Sequence, residues 1–141
     1  MKVVILRRYV DTIESLSRIL RSSGQVAGED WIITDNPTEA LAYIRKFDGQ
    51  RLVLLTGAVF DRGEETMASD FVPTFKRDHP LLTIFLWSVM PEAIPGVDGL
   101  ILHRSDKLSR VATMVSVLLR GDFDSVESHE IMEAFPDLFA Q

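Results

Sequence analysis

Along the chain, short blocks of aliphatic residues alternate with longer stretches in which apolar positions recur every three or four residues. The blocks are Val3-Val4-Ile5-Leu6, Trp31-Ile32-Ile33-Thr34, Leu52-Val53-Leu54-Leu55, Leu82 to Trp87, and Gly99-Leu100-Ile101-Leu102-His103. The third is apolar on both faces of an extended backbone, as expected of a central strand in a parallel sheet covered by helices on each side. After the first block, Asp11 is predicted as an N-cap with Glu14 three residues on; Ile13, Leu16, Ile19 and Leu20 follow at helical spacing and Gly24 supplies a left-handed stop. Asn36-Pro37-Thr38-Glu39 reads as a second helix start, a cap with proline in the first turn and glutamate at the third helical position. Its inner stripe is Ala40, Leu41, Ile44 and Phe47, and Gly49 ends it. Ser105 is predicted to cap the last long helix, whose stripe is Leu108, Val111, Ala112, Val115, Leu118 and Leu119, closed by Gly121.

Three segments are less regular. Residues 57–63 read as a loop, and residues 64–77 either as one helix kinked at Pro73 or, preferably, as an irregular stretch followed by a short helix capped by Asp70. Pro91 and Pro95 leave room for one helical turn at most between Ser88 and Gly99. The tail, residues 122–141, predicts one more short helix around Val126 to Phe135, before Pro136. Strands alternating with helices through right-handed crossovers give an α/β doubly wound sheet.

At 141 residues, 46% hydrophobic and 26% charged, the chain is one domain with an ordinary core. It has no cysteine, which excludes disulfides, thiolate catalysis and cysteine-bound zinc. No apolar run approaches the roughly 18 residues of a membrane span, and Met1 to Arg7 is too short for a signal-peptide core, so no membrane role is expected and a cytoplasmic location is the default. The net charge of −6 lies in the tail: residues 1–121 hold all 15 Lys and Arg and 15 of the 21 acids, and residues 122–141 hold six acids and no base. A neutral body argues against a nucleic-acid surface on this domain. His79, His103 and His129 stand singly, so no metal site is expected. No Gly-x-Gly-x-x-Gly, Walker loop or Gly-x-Ser-x-Gly elbow is present, so no cofactor and no enzyme activity are expected.

The framework residues carry a resemblance. Asn36-Pro37-Thr38-Glu39-Ala40-Leu41, Leu52-Val53-Leu54-Leu55 and Gly96-Val97-Asp98-Gly99-Leu100 occur in the order and at nearly the intervals of response-regulator receiver domains, and residues 1–121 resemble that family. The resemblance implies a flavodoxin-like five-stranded parallel sheet of order 2-1-3-4-5, with the fourth helix shortened or missing. It also implies where a phosphorylation pocket would lie, and there the residues depart from the family. Arg7-Arg8 stand in place of the magnesium-binding acidic pair, Thr56 in place of the acceptor aspartate, and His103-Arg104 in place of a lysine and proline, while Ser88 keeps the hydroxyl.

Phosphoryl transfer to a carboxylate needs an ionised oxygen nucleophile and a divalent cation held by carboxylates. A threonine beside two guanidiniums supplies neither. The expected protein is therefore a non-phosphorylatable pseudo-receiver, a protein-interaction module in bacterial signalling or transcriptional regulation. Its partner would be a regulator or a kinase-pathway component. The alternative is a sensor that binds a small anion, phosphate or nucleotide, where Arg7, Arg8, Thr56, Ser88 and His103 converge at the carboxyl ends of the strands. An arginine pairing with Asp11 or Asp61 would instead merely plug the site. Loss of the fourth helix is expected to uncover Trp87, and Arg104, Met114, Val117, Ile131 and Phe135 to join it in an association surface; the tail would cover it in its own chain or in a second one, and a homodimer is expected over docking on its own chain.

Overall fold

The structure is a computed structural model that describes residues 1–140 other than 9, 23, 62–64 and 122–126. Five strands form one parallel sheet: β1 (Lys2–Leu6), β2 (Trp31–Thr34), β3 (Leu52–Thr56), β6 (Thr83–Ser88) and β7 (Gly99–Leu102), in the order β2-β1-β3-β6-β7. Counting only these five strands, this is the expected 2-1-3-4-5 winding. The register aligns Leu6 with both Thr34 and Thr56, Thr56 with Leu86, and Ser88 with Leu102, so the strand ends form one rim. Every residue of β3 is buried, as the central position of an unbroken aliphatic run requires.

Strand alternation divides the core in two. Val3, Ile5, Val53, Leu55, Phe85, Trp87 and Ile101 pack under α1 (Val10–Ser22) and α4 (Leu108–Leu119). Val4, Leu6, Leu52, Leu54, Ile84 and Leu86 pack under α2 (Pro37–Lys46) and α3 (Ala68–Asp78). Asn36 caps α2 as expected, its Oδ1 accepting from the Thr38 N–H at 2.9 Å. Glu39 turns instead to the Thr34 hydroxyl at 2.6 Å, and Thr34 Oγ1 accepts the Asn36 N–H at 3.1 Å, which ties the helix start to the end of β2.

Several boundaries differ from the sequence reading. Helix α1 begins at Val10, so Asp11 lies in its first turn and is not the cap. A single 3-10 turn, Ser105–Lys107, precedes α4, so Ser105 does not cap it directly. The segment after β3 is an antiparallel hairpin, β4 (Val59–Asp61) with β5 (Glu65–Met67), where a loop was expected. Asp70 sits inside α3 rather than at its cap, accepting the Met67 N–H at 2.8 Å. Pro73 lies within that helix. The interior proline costs about 3 kcal/mol, and the burial of Ala68, Phe71, Val72 and Phe75 on the inner face offsets it.

Residues 89–98 contain no helix, as Pro91 and Pro95 predict. The segment closes through Gly96, whose φ of +95° favours glycine, and through Asp98. The Asp98 N–H donates to the Ile84 carbonyl at 2.8 Å, and its Oδ2 accepts from the Ile84 N–H at 2.8 Å and from Lys76 Nζ at 2.9 Å. One carboxylate thus joins β6 and α3 to the lead-in of β7.

The tail forms α5 (Ser128–Ala134) and packs on its own chain; Val126, where the tail helix was expected to begin, lies outside the described residues. Ile131, Phe135, Leu138 and Phe139 enter the α1/α4 core. This corrects the expected association surface. Trp87, Met114, Ile131 and Phe135 are all at most 6% exposed, part of one core with the docked tail. Val117 is half-buried and Arg104 is exposed, paired with Asp106 at 3.1 Å.

Candidate functional site

The rim is built by three strand ends whose ladders run past the strands themselves. Arg7 donates its N–H to the Thr34 carbonyl at 2.9 Å, Gly57 to Leu6 at 2.8 Å, and His103 to Ser88 at 2.8 Å. Because the backbone is still extended, side chains continue to alternate between faces. Arg7, Trp87 and His103 therefore continue the face of Ile5, Phe85 and Ile101, whereas Thr56 and Ser88 lie on the face of Leu6, Leu54 and Leu86.

On the first face Arg7 is 2% exposed, with its guanidinium carbon 4.2 Å from the centroid of the Trp87 ring. Its Nη1 donates to the Trp87 carbonyl. The His103 ring meets the same indole edge-on at 5.4 Å between centroids. Burial, and then the charge of Arg7, lowers the His103 pKa from its ordinary value, so the imidazole is held toward its neutral form. Its Nδ1 is buried without a hydrogen-bond partner.

On the second face Thr56 is fully buried and its hydroxyl donates to the Gly57 carbonyl at 2.9 Å. Ser88 is half-buried, its oxygen accepting a long 3.4 Å bond from the Met90 N–H. Arg8 is exposed. A cleft of ≈ 280 Å³ at these strand ends draws on both faces, lined by Arg7 and Arg8, Gly57 and Ala58, and Trp87 to Met90. Three of the five residues expected at one rim thus line the cleft; Thr56 lies beneath it and His103 stands outside it, against Trp87. Pairing of an arginine with Asp11 or Asp61 concerns side chains outside those described.

The sequence did not single out Gly57, Ala58, Val89 and Met90, although each directly follows a strand end, where open α/β sheets place their ligands. It expected Trp87 to be uncovered, whereas the indole is buried and is the platform on which Arg7 and His103 rest. Among the described residues, no group of three or more His, Cys, Asp or Glu side chains is placed to hold a metal ion, and no carboxylate lines the cleft. No described helix is long and apolar enough to cross a membrane.

No protein-family model matches the chain, and no curated protein matches it. Solved structures do. The isolated REC domain of RcsB from Salmonella enterica serovar Typhimurium, in the presence of the phosphomimetic BeF3-, is 14% identical, with a TM-score of 0.53 over 82% of this chain and 88% of that one. RcsB from the same organism, bound to promoter rprA in the presence of BeF3-, is 16% identical, with a TM-score of 0.52 over 96% of this chain and 67% of that one. At such identities the likeness is one of fold, and the fold is that of a response-regulator receiver domain.

Proposed function

We propose that this chain is a pseudo-receiver, a receiver-type module in bacterial signalling or transcriptional regulation that associates with a protein partner and takes no phosphoryl group. The observation that carries the reading is the buried Arg7 guanidinium, stacked on Trp87 where a phosphorylated receiver would need acids for magnesium. A fixed cation there repels the metal that phosphoryl transfer to an acidic side chain requires. Thr56 adds to it: a hydroxyl with no adjacent base is a weak nucleophile, and this one is buried and already bonded to Gly57. The partner is a regulator or a component of a kinase pathway.

A small anion at the Arg7/Arg8/His103 rim has less support. The imidazole is held toward neutrality and the Arg7 guanidinium is turned onto the indole, which leaves Arg8 as the exposed cation of the three. The test is incubation with acetyl phosphate and magnesium, read by intact mass and by melting temperature, beside a receiver that has its aspartate. The expected result is no adduct and no magnesium-dependent shift. A phosphoryl adduct, or stabilisation that needs both reagents, would overturn the reading.

A further inference from the structure

Strand β7 ends the sheet, and its outer edge is taken by the chain's own C-terminal segment. Phe139 forms an antiparallel bridge with Ile101, and the Ala140 N–H donates to the Leu100 carbonyl at 2.7 Å. Behind this edge the Phe139 ring meets Phe85 at 4.7 Å between centroids. Asp137 pins the segment from outside. It accepts from Arg110 Nε at 2.9 Å and Nη2 at 3.0 Å and lies 3.6 Å from Lys107 Nζ. The Arg110 bonds hold its carboxyl down at about 2.

We propose that residues 128–140 act as a plug in cis on an association edge whose other occupant is a second copy of this chain. Without the segment, β7 would present unpaired N–H and C=O groups beside an apolar groove, a template for another strand. The bridge to Phe139 establishes that this edge accepts an antiparallel strand. Two β7 edges meet this requirement together, since the same strand in two copies related by a twofold axis runs antiparallel to itself. The apolar surface also continues past the plugged edge. Leu102, in register with Ser88, is 41% exposed, and Val89 and Met90, which follow Ser88, are 60% and 80% exposed. A second copy seated on the edge would cover them. The homodimer expected from the sequence is, on this view, the released state. The plug gives regulation to the association module proposed above and rests on that reading only for its purpose. Its test uses no phosphodonor, so the two fail separately.

The test uses the full chain. Asp137→Arg turns the pin into repulsion from Arg110 and Lys107. Sedimentation is expected to give a monomer for the parent chain, a concentration-dependent dimer for Asp137→Arg, and a monomer again for Arg110→Asp/Asp137→Arg. A synthetic peptide of residues 127–141, added in excess, should dissociate the dimer by refilling the groove. Ala140→Pro, which removes the N–H donor to Leu100 and leaves Asp137 intact, is the second route to the same dimer. A parent chain that is already dimeric, a folded variant that stays monomeric, or a dimer indifferent to the peptide would overturn the proposal. So would failure of both variants to fold by circular dichroism, since the segment would then be core and not plug.

Discussion

Replacing Arg7 by methionine tests the reading of the rim as a structural plug. Methionine keeps an unbranched apolar stem and removes the charge. Lost is the cation–π contact with Trp87, worth about 2 kcal/mol when desolvated. Gained is relief from burying a guanidinium, a cost of several kcal/mol, on a side chain that is only 2% exposed. These terms nearly cancel. What remains is the Trp87 carbonyl deprived of its guanidinium donor, a penalty of about 1–3 kcal/mol. Arg7→Met should therefore destabilise the chain by about 2 kcal/mol, which at a urea slope of about 2 kcal/mol per molar moves the midpoint by about 1 M.

A second readout separates this from any generic core defect. The Arg7 charge is the lesser of the two causes that lower the His103 pKa, burial being the greater. In Arg7→Met the His103 pKa should rise, yet stay below the ordinary 6.5 because the burial remains. Imidazole resonances followed against pH, with His103 assigned by His103→Gln, give the answer. An unmoved His103 would mean that its charge environment is not the one argued. A gain in stability would mean that the buried cation is a strain the fold tolerates, and the cleft would then be better read as a ligand site.

Two further outcomes follow from single groups. Because His103 titrates below 6.5 in the folded chain, the unfolded chain binds its proton first; stability should be full above about 6.5 and decline as pH falls toward the lowered folded pKa, and His103→Phe should remove that component from urea midpoints measured across the range. Asp98→Ala should cost about 3 kcal/mol by leaving the Ile84 N–H and the Lys76 ammonium without their shared acceptor. Amide exchange that stays slow at Ile84 in this variant would show that Asp98 does not hold the β6–β7 connection.

The strands were legible because each is a short, mostly apolar block, and the block that is apolar on both faces, Leu52 to Leu55, proved central; their order was legible only through the resemblance of the framework motifs to receiver domains. Asn36 was legible because a cap is a local bond, set by residues two or three positions apart. The hairpin was not: Val59–Asp61 and Glu65–Met67 are three residues each, too short for a period of two to stand out. The uninterrupted α3 was hidden for a different reason. Pro73 is a strong local signal against a helix, and only the partners of Phe71, Val72 and Phe75 across the second core reveal what outweighs it. Docking of the tail was legible as one of two outcomes, since the sequence displays its apolar residues without saying which chain they meet.

The sequence alone could not separate the roles of Arg7 and Arg8. Adjacent in sequence at the end of a strand, they read as one doubly charged rim facing Thr56, Ser88 and His103. The register does bring the strand ends to the same end of the sheet, but alternation sends Arg7 to the side of Trp87 and His103, and away from Thr56 and Ser88. Both arginines border the cleft, but they are not equivalent. The one on the Trp87 side is buried, stacked and bonded to backbone, the marks of a group that holds structure. The same stack holds His103 toward neutrality, so the cation count of the rim falls again. What distinguishes this rim chemically is therefore a buried arginine stacked on an indole at the border of the cleft, with Arg8 the exposed cation beside it.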